Sequence, residues 1–335
     1  MTVDLALVWA LLIAFAVLAY VVLDGFDLGI GILFPALDGR RHRDRAIRTI
    51  APVWDGNETW LVFGGAGLFA AFPLAYAVIL PALYAPLTAM LAGLVFRGVA
   101  FEYREHAGRG RNLWDAGFCA GSLAAALGQG LALGTLVQGI TVNGRAYGGG
   151  WWDWLTPFSL LTAAALAVGY ALLGATWLVL KTDGALRDRA RVLARRAAVG
   201  TLAGMAAVSL LTPVLDPGYL ARWLSWPAGL FAVAAPVLVG FCAWALWRGL
   251  ARGPDGLPFL AALGLFVLCH AGLGIGFNPY IVPFSVTYHA AAAPRSSLAF
   301  LLAGAAVLLP VLIAYTGHAY WVFRGKVTDR TEEGG

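Results

Sequence analysis

Long apolar runs follow one another along this chain, separated by short polar stretches. A hydrocarbon layer about 30 Å thick is crossed by roughly 20 residues of helix. Runs of that length predict nine spans, near residues 5–34, 51–73, 76–103, 113–139, 153–181, 197–215, 227–249, 257–279 and 297–323. Phe72-Pro73-Leu74 joins the second and third as a tight hairpin. Pro213, Pro217, Pro227, Pro254 and Pro258 mark other breaks, where a helix is expected to stop. The second run begins with polar residues, so the count falls to eight if that span is lost.

The basic residues fix an orientation for this layout. Of the 23 Lys and Arg, nineteen lie in the links near 40–48, 104–111, 181–196 and 248–252 and in the tail from Arg324 to Arg330. The alternate links hold only Arg145, Arg222 and Arg295, and Arg97 is left inside the third span. Cytoplasmic loops carry the excess of Lys and Arg, so the N-terminus is expected outside and the C-terminus in the cytoplasm. The connection around Asp183–Arg196 is expected to prolong its helix, and the closing residues 331–335 to fray. The first run lacks a basic leader and is longer than the apolar core of a signal peptide, so it reads as a retained helix. The expected fold is therefore an all-α polytopic integral membrane protein with nine transmembrane helices, arranged as two bundles plus one extra helix. Residues 1–335 form a single transmembrane domain without a soluble domain.

Composition removes the main alternative. Hydrophobic residues make up 60% of the chain and charged residues 12%, with a mean hydropathy of +0.77. Soluble domains are about 45–50% apolar and about 25% charged, so water is the wrong solvent for this surface. Nucleic acid binding is not indicated. Cys119, Cys242 and Cys269 lie inside apolar runs without metal-ligand or disulfide spacing.

Ionisable residues within spans cost about 2.5–3.5 kcal/mol each on insertion scales and mark functional positions. Asp24 and Asp27 are three residues apart on one face of the first span, and Asp55 and Glu58 repeat that spacing at the start of the second. Arg97 and Glu102 lie toward the cytoplasmic end of the third. The derived topology sets all six at similar depth, with Glu102, followed by Tyr103 and Arg104, at the interface. Carboxylates so close repel one another when all are ionised, and Arg97 is expected to hold one of them charged. Two readings stay open. The acids form a proton path from the cytoplasm, or they form a structural ion-pair network in which Arg97 pairs with Asp27 and the other two acids favour a helix N-terminus.

The histidines add little. His42 and His106 fall in basic loops, His289 in an outer link, and His270 and His318 in the last two spans, where interhelical hydrogen bonding is the simpler role than heme ligation. Gly25/Gly29, Gly117/Gly121 and Gly130/Gly134 predict close helix packing. Most of that packing is expected within this chain, with a second membrane subunit as the alternative for the first pair. Trp151, Trp152 and Trp154 on one side, and Trp244, Trp247 and Trp321 on the other, read as interfacial belts.

These residues also carry a family likeness. AspGlyPheAspLeuGlyIleGly (Asp24–Gly31) followed by TrpAspGlyAsnGluThrTrpLeu (Trp54–Leu61) resembles subunit II of cytochrome bd-type quinol oxidases. Phe96–Arg104, Trp114–Asp115, Gln129–Gly139 and Pro279–Pro283 with Ser285 nearby match in order over most of the chain. The short loops look most like the cyanide-insensitive branch. The resemblance implies a larger subunit I that carries the b-type hemes, heme d where present, and the quinol site. This chain would pack against it as a pseudo-symmetric, heme-free partner. The complex would oxidise quinol and reduce O₂ to water with protons from the cytoplasm, in the bacterial plasma (inner) membrane. Carried over by motif, Asp24 and Asp55 are the proton-path candidates, with Asp27, Glu58 and the charge partner Arg97 in support. Glu58 stands where many relatives have Gln, and Val53 where some have His, so the polarity at the uptake point differs. A structural quinone and a small third subunit occur in some relatives and are left open here. The competing class is a proton-coupled membrane transporter, which would place polar residues in both halves of the chain. Here the acids crowd into the first three spans.

Overall fold

A computed structural model describes residues 3–328; Arg330 and the tail 331–335 lie outside the described residues. The first helix, α1 (Leu5–Leu33), starts where the Asp4 carboxylate accepts hydrogen bonds from the Ala6 and Leu7 amides, each at 3.1 Å. The link that follows is helical too: α2 (Gly39–Ile50) sets Arg45, Ala46, Ile47 and Ile50 inward and leaves most of its arginines at the surface. Next come α3 (Trp54–Ala71), α4 (Pro73–Ala82) and α5 (Tyr84–Arg104). The expected third span is thus two helices, broken at Leu83 between Pro81 and Pro86, neither of which has an N–H to give to a continuous helix. α6 (Arg111–Gln138) stops at Gly139, whose φ of 88° favours glycine.

A small hairpin, β1 (Val142–Asn143) with β2 (Ala146–Tyr147), leads to α7 (Pro157–Lys181), which opens with a Thr156/Ser159 capping box. α8 (Gly184–Leu215) begins well before the apolar run does, because its first turns are the basic segment, as expected for a helix prolonged beyond the bilayer. The short α9 (Pro217–Leu224), then α10 (Ala228–Arg252) and α11 (Leu257–Phe277), lead to a second hairpin of β3 (Tyr280–Val282) and β4 (Val286–Thr287). The described chain closes with the turn α12 (Tyr288–Ala291) and with α13 (Arg295–Val322). Among the described residues, eight helices are long and apolar enough to cross a membrane. α3 is outside that set, its first turns holding Asp55, Asn57 and Glu58.

α1 is the centre of the molecule. It packs against α3, α6, α7, α11 and α13, and every residue from Asp24 to Gly31 is buried. Glycine makes this possible at one contact above all: a Cβ on Gly29 would lie 1.8 Å from the Tyr170 carbonyl oxygen, and one on Gly174 would lie 2.5 Å from the Gly29 backbone. The other two glycine pairs also pack internally, Gly121 on Gly93 and Arg97 of α5, and Gly130 on Ala163 of α7. The alternative of a second subunit at Gly25/Gly29 gives way to α7, whose Tyr170 covers both glycines.

The connections gather at two ends. At the basic end, Arg45 pairs with Asp183 at 2.6 Å and donates to the Val327 carbonyl at 2.7 Å, while the Val327 amide donates to the Lys181 carbonyl at 2.8 Å. Lys326 reaches Asp255 at 2.5 Å; despite partial burial, Lys326, Arg191 and Arg187 hold that carboxyl below its ordinary pKa. Asp115, from the TrpAsp pair, binds buried Arg104 and reaches Arg43 at 3.2 Å, and Asp44 joins Arg104 to Arg111. At the other end, His289 meets Asp4 at 2.8 Å and Trp9 donates to the Leu298 carbonyl at 3.0 Å. Ser285 donates to the Ile140 carbonyl at 3.1 Å, which gives the Pro279–Pro283 stretch a structural place in the second hairpin. Trp151, Trp152, Trp244, Trp247 and Trp321 are exposed, as interfacial anchors must be.

Gly29→Ala is expected to separate α1 from α7 at a cost of about 1–3 kcal/mol, read as a lower melting temperature of the purified protein. Gly65→Ala, which meets nothing within 4 Å, is expected to be neutral. Equal melting temperatures for the two variants would contradict the packing described.

Candidate functional site

Arg97 is wholly buried on α5, and one of its nitrogens, Nη1, serves two acids. It donates to Asp24 Oδ1 at 3.1 Å and to Glu58 Oε1 at 3.0 Å, tying α5 to α1 and α3. Exposure is graded along this line: the Glu58 side chain is 28% exposed, Asp24 1% and Arg97 0%. The guanidinium lies 5.7 Å from the Trp54 ring centroid, and Trp54 packs on Phe101, so aromatic rings wall the charge on that side.

Asp27 is buried beside this pair but is not the partner of Arg97. The alternative of an Arg97–Asp27 ion pair is corrected: Arg97 stands at the height of Asp24, one turn away along α1. Asp27 Oδ2 instead accepts from Asn57 Nδ2 at 2.7 Å. Asn57 also donates to the Leu23 carbonyl at 3.1 Å and accepts from the Tyr320 hydroxyl of α13 at 2.9 Å. Deeper in, Gln129 of α6 donates to the Tyr20 hydroxyl at 2.7 Å and accepts from Tyr170 of α7 at 2.5 Å.

Asp55 is brought near this cluster but not into it. It is exposed in the first turn of α3, while Glu58 turns inward. Glu102 is exposed on α5. Five polar members of the network, Tyr20, Asn57, Gln129, Tyr170 and Tyr320, were not marked as site residues by the sequence. Asn57 and Gln129 lie within the motifs that carried the family likeness, and Tyr20 is one turn from Asp24. Tyr170 and Tyr320 gave no signal.

Four buried atoms here have no protein hydrogen-bond partner: Asp24 Oδ2, Asp27 Oδ1, and Arg97 Nε and Nη2. Most buried polar atoms are satisfied, and here two of the four unpartnered atoms are oxygens of buried carboxylates. His270 is half-buried on α11 and His318 exposed on α13. Among the described residues, no three His, Cys, Asp or Glu side chains converge as metal ligands would.

Fold and site together define a polytopic α-helical membrane protein with acids buried around a single arginine near one end of its bundle. Residues 5–323 match the family described as cytochrome bd terminal oxidase subunit II, and the chain belongs to that family. It is 33% identical to cytochrome bd-I ubiquinol oxidase subunit 2 of Escherichia coli K12, over 98% of this chain and 97% of that protein. It is 28% identical to cytochrome bd ubiquinol oxidase subunit 2 of Bacillus subtilis 168, over 96% of each. The solved bd oxidase from Geobacillus thermodenitrificans shares the fold, with a TM-score of 0.76 at 18% identity over 95% of this chain and 98% of that one. The chain is thus a multi-pass membrane subunit of a terminal quinol oxidase, a complex that contains hemes and a subunit I.

Removing one partner of a buried ion pair strands the other, at a cost of about 3–5 kcal/mol. Arg97→Leu strands two carboxylates, so the variant is expected to yield little assembled complex in a membrane extract resolved on a native gel. Wild-type yield of that variant would show that the cluster is not held by Arg97.

Proposed function

We propose that this chain is the heme-free subunit II of the oxidase, that it scaffolds a heme-bearing subunit I, and that its acid cluster takes up protons for O₂ reduction. The observation that carries this reading is the step from partly exposed Glu58 to buried Asp24, both held by buried Arg97. Protonatable groups stepping inward from one surface are what an uptake path requires, and intramembrane ionisable residues mark such relays. Exposed Asp55 serves as the outer collecting group, one turn before Glu58.

The topology of this reading has nine crossings, with α3 as the polar second one, the N-terminus outside and the C-terminus in the cytoplasm. The basic end would then face the cytoplasm, and the cluster opens toward that end. The b-type hemes, with or without heme d, and the quinol site lie on subunit I in this reading. Quinol and O₂ are substrates of the complex, and lipid covers the remaining apolar surface. A transporter with a central substrate site is disfavoured, because among the described residues the buried acids Asp24, Asp27 and Asp115 all lie in the first half of the chain.

Asp24→Asn keeps the shape and removes the charge. The charge of the cluster depends on this carboxylate, so quinol-driven O₂ uptake is expected to fall by about 10²-fold or more, the usual contribution of proton-transfer groups, while the heme spectrum stays at wild-type intensity. Loss of heme in this variant would favour a purely structural cluster, and unchanged turnover with full heme would remove Asp24 from the path.

A further inference from the structure

Two acids one turn apart on α1 are held in opposite ways. Resting on the reading that this cluster passes protons, we infer that Asp27 carries the moving proton, that Asp24 is the standing counter-charge of Arg97, and that Asn57 and Tyr320 position Asp27.

Asp24 has the cation an anion needs, although its Oδ2, like Asp27 Oδ1, is buried without a protein partner. Arg97 Nη1 is 3.1 Å from its Oδ1. Behind it, Tyr170 donates to Gln129 and Gln129 donates to the Tyr20 hydroxyl, one turn along α1. A neutral amide in the middle gives a proton from its nitrogen and accepts at its oxygen but does not readily hand one through, so this chain carries no proton onward.

Asp27 lacks that cation. It forms no ion pair among the described residues, since Arg97 spends its paired nitrogen on Asp24 and Glu58. Its one side-chain hydrogen bond comes from Asn57, and the direction of that bond is fixed. Asn57 Nδ2 also faces the Leu23 carbonyl, which can only accept, so the amide nitrogen is the atom turned to Asp27 Oδ2. Tyr320 closes the arrangement by donating to Asn57 Oδ1 at 2.9 Å. The other carboxyl oxygen, Oδ1, is buried with no protein partner. A bare anion there is far costlier than a neutral acid with one unmade hydrogen bond, so Oδ1 is where the proton sits.

Supply is at hand. A narrow crevice between α3 and α13 is lined by Val53, Gly56, Tyr315 and Thr316 together with Asn57 and Tyr320, the two residues that hold Asp27. The proton leaves Oδ1 when the complex draws on it, and its replacement comes to Oδ1, the oxygen that Asn57 leaves free, rather than through the amide. Meanwhile the charged and titratable groups facing Asp27 are Asp24 on its own helix, Glu58 on α3, Arg97 on α5 and Tyr320 on α13. Arg97 is the only cation among them, and its unpartnered Nε and Nη2 are available to the transient carboxylate.

Infrared difference spectroscopy on the purified oxidase complex, poised oxidised and then reduced, tests this through the C=O stretch of a protonated carboxylic acid. Asp27→Asn is expected to remove one such band and Asp24→Asn to leave it in place. A band that survives Asp27→Asn, or one lost only in Asp24→Asn, overturns the assignment. If Asp27→Asn fails to assemble with heme, Asn57→Ser takes its place. It removes the amide bonded to Oδ2 and is expected to shift the band; an unmoved band overturns the proposal. Turnover of the same variants separates this inference from the reading beneath it. A fall in turnover with Asp24→Asn but not with Asp27→Asn, the band unchanged, sinks only the inference. Wild-type turnover in Asp24→Asn, Asp27→Asn and Glu58→Gln alike would sink proton uptake itself.

Discussion

A guanidinium with no exposure to solvent has to be matched by carboxylates, and Arg97 is matched by two from different helices. Its ion pairs to Asp24 and Glu58 lock α5, α1 and α3 into one relative height. Breaking either pair would leave an uncompensated charge, so these three helices cannot slide or rotate independently. The rest of the interior is arranged to keep water from that charge. Glycines let α7 and α6 close on the buried half of α1, and Trp54 and Phe101 shield the guanidinium on the α3 side.

The cluster is nonetheless left incomplete by the protein's own groups. Acids outnumber the cation, two carboxyl oxygens and two guanidinium nitrogens lack partners, and Glu58 keeps a route to the surface. A site built only for stability would have been finished with more hydrogen bonds or replaced by apolar packing, which is often as stable. Retaining the charge and leaving it open on one side is consistent with the proton uptake proposed for this subunit. At the basic end Asp44, Asp115, Asp183 and Asp255 each meet a Lys or Arg, and the segment up to Val327 is strapped to α2 and α7.

Much of this was legible in the sequence. Apolar length revealed the long helices, and grouping of Lys and Arg foretold which connections meet at each end. α2 escaped because five arginines mask the inward face of Ala46, Ile47 and Ile50. The break at Leu83 was hidden within an unbroken apolar run, although Pro81 and Pro86 were there to signal it. For the site, charge within a span was a reliable marker and found Asp24, Asp27, Glu58 and Arg97. Spacing could not say which acid Arg97 meets, because that depends on the relative height of two helices. It also overstated the match of Asp55 and Glu58. Three residues advance a helix by about 300°, so the two directions differ by about 60°, enough here to leave Asp55 at the surface. Asn57, Gln129 and Tyr320 are uncharged, carry a smaller burial cost, and so drew no notice.

The account stands or falls on the side from which protons are taken. The complex can be reconstituted into vesicles of defined orientation, with a pH-sensitive dye trapped inside or added outside, and a single turnover triggered by O₂. Protons are expected to vanish from the side that bears the Arg40–Arg48 segment, and Asp24→Asn is expected to slow that uptake. Uptake from the opposite side, or at the wild-type rate in Asp24→Asn, would contradict the account.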